Sequence, residues 1–416
     1  MFETISDWSD IKEVLDRVTH PALYIDYSKV TLHTPISDIE VFSIVDIDVE
    51  NNYAKNYGPV ISVSIRMEAR QWINDFYRHV DNMEMTLGSI RYKAIVNTDT
   101  LLNIEALNMD SMTDLELDRV GMLDITFQLL DRSLEALRYV TVGGIYKNVN
   151  IETLLSTVLY DGSKSVNVDG TSAIDHIRIS PISNERIYKN IVIPHGTRLI
   201  DFPSYLQKRY GVYSTGIGFY IHNRIMYIYP VFNTNIKDSG KKTLRVLLYS
   251  SPIAEVSDSG VYISGDVVTV VGIGNNSTLD RKDAKMISNG NGVYYPETFS
   301  MMKKPVDISK GNPTGVRNRI NNEFVHMDRQ DGGNYTPRPS EDNLLEEMSR
   351  RAEDFINVVP VKVNNFYPDM IEPGMHVELI RKTGVGKISS TRATLLNIMT
   401  YIGKNSNPIT TIYLGV

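Results

Sequence analysis

The sequence predicts a mainly β protein in which two β units flank a mixed α+β unit. Apolar and polar residues alternate along Val45–Glu50 and Ile61–Glu68, as in strands with one buried and one wet face. Between Ile151 and Leu159, apolar residues recur at helical spacing. Past residue 240, apolar and β-branched runs extend to the last residues of the chain. These three observations indicate the mainly β class with an α+β insert.

The first unit is predicted to span residues 1–145. Ser9 is expected to cap a short helix whose apolar residues recur from Trp8 to Val18. Residues 35–142 are interpreted as one antiparallel β domain that carries one packed helix, between Ala69 and Asp81. Its other strand candidates are Met83–Leu87, Ile90–Val96 and Met122–Leu130.

The mixed middle unit is predicted to span residues 146–240. Asn150 can cap a helix with an apolar stripe, and Gly211 is placed to end a second helix at Asp201–Tyr210. A hairpin is expected next, because two apolar runs flank a short polar turn. Its predicted parts are Gly216–Ile221, the turn His222-Asn223-Arg224, and Ile225–Tyr229.

The second β unit is predicted to span residues 241–416. A long loop at 272–340 interrupts it, followed by an acidic helix at 341–356 with Leu344, Met348, Ala352 and Phe355 on one face. A loop this long and rich in Gly, Pro and Asn is expected to be functional or mobile, and limited proteolysis should cut it first. The strand candidates are Thr243–Tyr249, Val267–Val271, Val358–Val363, His376–Arg381, Lys387–Thr400 and Ile409–Leu414.

The composition excludes several classes of protein. The 416 residues are 42% hydrophobic and 22% charged, as in folded globular chains. The lack of cysteine excludes disulfides, thiolate metal sites and thiol nucleophiles. A net charge of −7 argues against a protein that wraps nucleic acid. Membrane insertion and secretion are not expected, because apolar runs are far shorter than the ~20 residues of a membrane helix and Met1–Asp7 lacks a signal pattern.

No catalytic, cofactor-binding or metal-ligating residue is predicted. Gly272–Ser277 has serine where a dinucleotide fingerprint needs its third glycine, and Gly384–Lys387 lacks the rest of a phosphate loop and is interpreted as a hairpin turn. The eight histidines are widely spaced, so the pattern favours no metal site. The aromatic residues Tyr220, Tyr227, Tyr229 and Phe232 could stack on bases, but sheet packing or a subunit interface is favoured.

Two stretches resemble the baseplate hub proteins of bacteriophage tails, which share their outline with the N-terminal part of type VI secretion spike proteins. The first is Val45–Gly58, continued by the strand Ile61–Met67, the helix Trp72–Val80 and the residues Asp81–Met85. The second is Asp201–Tyr213, followed by Gly218–Tyr220 and Tyr227–Pro230. The resemblance implies two tail-tube-like antiparallel β-barrel domains around the middle unit.

The resemblance also implies a function without catalysis. It implies a homotrimeric ring whose channel joins tail-tube or tube-initiator proteins to a separate spike protein. DNA would pass through the channel without specific binding, and the protein would reside in the virion tail after synthesis in the host cytoplasm. Asp46, Asp48 and Glu50 are the predicted channel-lining residues, because an acidic lumen repels phosphates.

Three other hypotheses remain open at this point. The chain could be a distal tail protein that forms hexameric rings. It could be a cell-wall-degrading tail enzyme with carboxylates as acid and base. It could also be a nucleic-acid-binding module that uses the basic residues Arg281, Lys282 and Lys285 of the long loop.

Overall fold

The structure is a computed structural model. It describes residues 29–416 except 42, 89, 107, 235–241, 250–260, 274–327, 330–334, 337–344, 346–348, 350–351, 354–355, 365, 367–370, 383–387 and 404–407. The helix predicted from Trp8 to Val18 and nearly all of the predicted loop at 272–340 lie outside these residues. Of the helix predicted at 341–356, the described residues Leu345, Ser349, Ala352 and Glu353 are helical.

Strands dominate the described residues, and the predicted mainly β class is confirmed. In chain order they are β1 (Val30–His33), β2 (Asp38–Val41), β3 (Ile44–Asn52), β4 (Val60–Glu68), β5 (Glu84–Leu87), β6 (Ile90–Val96), β7 (Met122–Asp131), β8 (Thr141–Asn150), β9 (Asn167–Val168), β10 (Thr171–Ser172), β11 (His176–Ile179), β12 (Ile187–Arg198), β13 (Ile217–His222), β14 (Ile225–Pro230), β15 (Thr243–Tyr249), β16 (Val261–Ser264), β17 (Val267–Ile273), β18 (Asp328–Arg329), β19 (Tyr335–Thr336), β20 (Val358–Asn364), β21 (His376–Lys382), β22 (Ile388–Gly403) and β23 (Ile409–Gly415).

The helices are more numerous than predicted in the first unit. They are α1 (Ala69–Gln71), α2 (Thr98–Ala106), α3 (Asp114–Val120), α4 (Arg132–Leu137), α5 (Ile151–Lys164) and α6 (Phe202–Tyr210). A π turn (Trp72–Phe76) and a 3-10 turn (Tyr77–Asn82) continue α1, and shorter 3-10 turns occupy Met109–Ser111 and Leu199–Asp201. The prediction of a single packed helix was wrong, because α2 and α3 each bury only one large apolar residue, Ile104 and Leu117, and so show no apolar stripe.

The first unit is an open antiparallel sheet with the order β2-β1-β5-β6-β7-β4-β3. Alternation along β3, β4 and β7 buries one face of this sheet, as the sequence predicts. The π turn adds Trp72 and Phe76, whose stacked rings lie 6.0 Å apart between centroids. This core is confined to residues 30–129 apart from Ile402, which packs against it from β22.

The C-terminal strands form a closed six-stranded barrel in the order β22-β21-β15-β17-β20-β23, and β23 pairs back to β22. The barrel differs from a purely antiparallel one, because β15 runs parallel to both neighbours, β17 and β21. The strands that flank the predicted hairpin pair antiparallel, with Lys382 opposite Ile388, and the turn predicted at Gly384–Lys387 lies outside the described residues. Strand β16, which the sequence did not predict, covers one side of β17.

The barrel and the open sheet are one continuous surface. Strand β3 pairs antiparallel with β22 along seven residues, from Asn52 opposite Asn397 to Asp46 opposite Gly403. The face that holds Ile47 and Val49 therefore continues into the barrel interior at Thr400 and Ile398. This pairing fixes the orientation of the two β units.

The middle unit packs α5 and α6 against a long two-stranded ribbon, β8 with β12, and a three-stranded sheet, β11-β14-β13. Asn150 caps α5, since its side chain accepts a hydrogen bond from the Thr153 amide at 2.8 Å, as predicted. The predicted hairpin is present, and its turn residues Asn223 and Arg224 both have positive φ. No helix in the described part of the chain is long and apolar enough to cross a membrane.

Candidate functional site

The three predicted channel-lining residues lie on the outer face of β3, where the open sheet joins the barrel. Strand alternation turns Ile47 and Val49 into the core, so Asp46, Asp48 and Glu50 share the opposite face. In the sheet register, Asp46 and Asp48 stand beside Ser64 and Ser62 of β4. The structure therefore brings the three carboxylates together as one acidic strip. Their role in a channel stays a prediction.

Glu50 is held in place while the two aspartates are less constrained. Its Oε1 accepts hydrogen bonds from Asn397 Nδ2 at 3.0 Å and from Asn52 Nδ2 at 3.3 Å. Among the described residues, no Lys or Arg forms an ion pair with Asp46, Asp48 or Glu50. Within the described ranges the strip therefore has no ion-pair partner, in contrast to the neighbouring Arg66–Asp124 pair.

The surroundings of the acidic strip are partly neutral and partly apolar. On the β4 side, Arg66 Nε and Nη2 donate to the two carboxylate oxygens of Asp124 at 2.6 and 2.7 Å. On the β22 side, Met399 and Tyr401 are nearly half exposed. They pair with Glu50 and Asp48 in the sheet register, so they lie beside the strip on the same face. Alternation with buried Ile398 and Thr400 indicates that these two side chains face outward, but only the pairing of β3 with β22 places them beside the strip.

The pKa of Asp48 reflects its position in the acidic strip. Burial raises the pKa of its carboxyl above the usual range, and the nearby charge of Asp46 raises it further. Ionised Asp48 is therefore less favourable in the folded chain than in the unfolded chain.

Replacing Asp48 with asparagine is expected to increase the free energy of unfolding at pH 7 by a few tenths of a kcal/mol, since the site is largely exposed and screened. A raised folded-state pKa gives a penalty that is absent below the unfolded pKa, near 4, and grows as pH rises through the folded pKa. Urea unfolding at pH 7 and pH 3.5 measures this, with Asp110→Asn as an exposed control. A gain of equal size at both pH values would contradict the electrostatic explanation.

The end of β3 and the loop after it bond to the middle unit and to the barrel. Tyr220 Oη donates to Asn51 Oδ1 at 2.8 Å, and Tyr229 Oη donates to the Tyr53 carbonyl at 2.7 Å. The Tyr53 amide donates to the Leu396 carbonyl of β22 at 2.9 Å. Because these bonds reach both the middle unit and the barrel, residues 51–58 form a joint between all three parts. The tyrosines of the hairpin are buried here, which supports sheet packing over a base-stacking platform.

A second contact of this joint is titratable. Tyr57 Oη donates to Asp201 Oδ1 at 2.6 Å, and Arg198 Nε donates to Asp201 Oδ2 at 2.6 Å. Burial raises the pKa of Tyr57 to about 12, and the hydrogen bond to Asp201 adds to that rise. The neutral phenol is therefore the form that the folded joint requires.

The Tyr57 contact predicts a specific alkaline sensitivity. A raised folded-state pKa stabilises the fold fully below the unfolded pKa, near 10, and the contribution is lost as pH rises toward 12. Between pH 10 and 12 the wild type should lose about 1 kcal/mol more than Tyr57→Phe, given that the phenol is only partly buried. Denaturant unfolding at several pH values measures the difference. Parallel losses in both proteins would show that Tyr57 is not the responsible group.

Two cavities contain both acidic and basic side chains in their linings. The larger one, of about 720 Å³, lies beside α5 and is lined by Asp161, Lys164, Asp175 and His176 among others. A cavity of about 280 Å³ lies between the open sheet and the hairpin, with Asp131, His222 and Arg224 in its lining. Burial raises the pKa of Asp131, but its carboxylate caps α4 by accepting from the Leu134 amide at 3.0 Å. No second carboxylate lines this cavity, and no cluster of three potential metal ligands occurs in the described ranges.

Comparisons with known proteins place this chain among phage proteins. The sequence model of the bacteriophage PBS1 gene 109 protein family matches residues 33–271, more than half of the chain. No curated protein sequence matches it.

Solved structures give remote similarities. The 43 kDa tail protein of prophage MuSo2 from Shewanella oneidensis is 8% identical with a TM-score of 0.42, covering 93% of this chain and 96% of that one. The tail protein from Neisseria meningitidis MC58 is 9% identical with a TM-score of 0.45, at the same coverages. The E. coli c3393 protein, a type VI secretion component, is 8% identical with a TM-score of 0.40, covering 92% of this chain and 76% of that one.

Proposed function

The chain belongs to the family of the bacteriophage PBS1 gene 109 protein, and from this premise we propose that it is a structural subunit of a phage tail baseplate hub. In the proposed assembly, three copies form a ring around a central channel. The ring joins the tail tube, or a tube-initiator protein, to a separate spike protein. The protein catalyses no reaction and resides in the virion tail after synthesis in the host cytoplasm.

One observation carries the proposal, namely the pairing of β3 with β22. This pairing joins an open sheet to a closed barrel, so each subunit presents one extended sheet surface with a fixed shape. The inner face is filled by apolar side chains, which leaves the outer face available for a lumen or for partners. A rigid surface repeated by a symmetry axis forms a closed collar. The three-part division at residues 145 and 240 belongs to this proposal.

In this assembly Asp46, Asp48 and Glu50 line the channel. Their carboxylates repel DNA phosphates, and the neighbouring serines offer small polar side chains without positive charge. DNA therefore passes without being retained, since retention requires cations that neutralise phosphates. The unfavourable ionisation of Asp48 supports a functional reason for this arrangement.

The oligomeric state is tested first. Light scattering of the purified protein should give a mass near three times 47.1 kDa, and electron microscopy should show a ring with a central opening. A mass near six times 47.1 kDa would favour the distal tail protein instead. A monomer that also fails to form rings with the tube and spike proteins of the same phage would overturn the proposal.

The lumen is tested with charge reversal. The variant Asp46→Lys, Asp48→Lys, Glu50→Lys should retain duplex DNA at low salt, with affinity that falls steeply as salt rises, whereas the wild type should not. The variant Glu40→Lys, Glu152→Lys, Glu185→Lys makes the same charge change at exposed acids elsewhere and serves as the control. Equal DNA retention by both variants would show that the acidic strip has no special position.

A further inference from the structure

The ribbon of β8 and β12 presents an exposed face that nothing in the described chain covers. Ile191 and Ile193 turn inward onto the core of the middle unit. On the other face Ile145 and Val192 stand directly opposite each other, with 66% and 49% of their surfaces exposed. The ribbon therefore displays an apolar centre on a rigid support, which is typical of a protein interaction surface.

The charged residues of the ribbon are all basic. Its 22 residues contain Lys147, Lys189 and Arg198 but no Asp or Glu, in a chain with an excess of acids. Arg198 is paired with Asp201, whereas both lysines are exposed. Lys147 shares the outer face with Ile145 and Val192 by strand alternation, and Lys189 is exposed near the end of the ribbon. The ribbon thus combines an apolar centre with positive charge, and we call it the basic ribbon.

The outer edge of β12 is closed to strand addition near its centre. The Val192 amide donates to Tyr210 Oη at 3.0 Å, and Tyr205 Oη donates to the Val192 carbonyl at 2.8 Å. Both tyrosines come from α6, so the backbone groups that an added strand would use are already satisfied. A partner therefore contacts the face of the basic ribbon and not this edge.

A surface of opposite charge lies on the first β unit. Residues 98–122, which contain α2 and α3, carry six exposed acids and one base, Arg119. Asp114 and Asp118 pair with Arg70, but no described cation forms an ion pair with the other four acids. We call this stretch the acidic helical segment. Its exposed acids are Asp99, Glu105, Asp110, Asp114, Glu116 and Asp118.

The acidic helical segment is also unusually apolar for an exposed surface. Fifteen large apolar side chains are exposed within the described residues, and seven of them lie on this segment or on the basic ribbon. This concentration favours two interaction surfaces over a random scatter. The seven are Leu102, Leu115, Val120, Met122, Ile145, Ile187 and Val192.

We propose that the basic ribbon of one copy docks on the acidic helical segment of the next copy. This contact rests on the proposed ring, in which it joins each subunit to the next. The two surfaces match in charge and in apolar character, and they are different patches of the same chain. A contact between two different patches is heterologous, and repeated around an axis it produces a ring rather than a two-fold dimer. The exposed isoleucine and valine favour a protein partner over DNA, whose phosphates reward charge alone.

Charge reversal with rescue tests the contact. The variant Lys147→Glu, Lys189→Glu should raise the concentration at which half of the rings dissociate by at least about tenfold, because like charges then face each other. Adding Asp99→Lys and Glu105→Lys to that chain should restore much of the loss. The variant Lys29→Glu, Lys362→Glu, with two exposed lysines on the two β units, should assemble as the wild type does. Unfolding curves of the isolated subunits check that each variant folds.

The outcomes separate this inference from the proposed function. If the wild type forms rings and the ribbon variant forms them equally well, the docking contact is wrong while the hub proposal stands. If the wild type forms no ring with or without its phage partners, the hub proposal itself fails. Duplex DNA binding by the wild type that the ribbon variant loses would assign the ribbon to nucleic acid and overturn the contact.

Discussion

Truncating Tyr229 to alanine is expected to lower the free energy of unfolding by about 3–5 kcal/mol, the range for large buried aromatic side chains. The Tyr229 ring lies in the barrel core cluster although the residue belongs to the middle unit. Its hydroxyl donates to the Tyr53 carbonyl at 2.7 Å, next to the acidic strip. Alanine would leave a cavity and an unpaired buried carbonyl at the point where three parts of the molecule meet.

Two matched variants separate the causes of that loss. Tyr229→Phe keeps the ring and removes only the hydrogen bond, so about 1–2 kcal/mol is expected. Tyr401→Ala removes a half-exposed tyrosine and should change stability by about 0.5 kcal/mol or less. Denaturant unfolding of the subunit measures all three. A loss below about 1 kcal/mol for Tyr229→Ala would show that the joint does not depend on this ring.

Local periodicity predicted most of the elements. The alternation in Val45–Glu50 and Ile61–Glu68 gave strands at nearly the observed bounds, since each has one buried and one wet face. Asn150 and Gly211 marked real helix ends because capping is a local property. The same alternation put Asp46, Asp48 and Glu50 on one face, which is why the acidic strip was accessible from sequence.

Pairing between distant strands was not accessible in the same way. The register of β3 with β22 joins residues more than 340 positions apart, and a hydrophobic period does not state which strands are neighbours. The parallel pairs of β15 were missed for the same reason, because their continuous apolar character fits either direction. Consequently Met399 and Tyr401 beside the strip were not identified.

The joint was also hidden from sequence reasoning, although its parts were noticed. The clustered tyrosines of the hairpin indicated packing, but their hydroxyl partners in residues 51–58 depend on tertiary geometry. Buried hydroxyls need partners, so the pattern could have predicted that such partners exist. It could not have predicted that they lie at the end of β3 and in the loop that follows. That connection ties the end of β3 to the middle unit, whereas the pairing of β3 with β22 ties it to the barrel.

Replacing Gly374 with alanine is expected to cost about 2–4 kcal/mol, the sum of left-handed backbone strain and overpacking. The residue has φ of 72°, and an added Cβ would lie 2.6 Å from both Cβ and Cγ of Tyr229. Tyr229 cannot move away, because it is buried and its hydroxyl is bonded to Tyr53. The substitution therefore disturbs the packing of Tyr229 at the same joint, from the side of the barrel.

Gly265→Ala is a control that shares the backbone strain without the clash. Gly265 has φ of 58°, and an added Cβ would meet nothing within 4 Å. That variant should lose only about 1–2 kcal/mol from the left-handed conformation. Denaturant unfolding of the two variants thus measures the clash as the difference between their free energies of unfolding. Equal losses at Gly374 and Gly265 would mean that the barrel and the middle unit are not in firm contact at Tyr229.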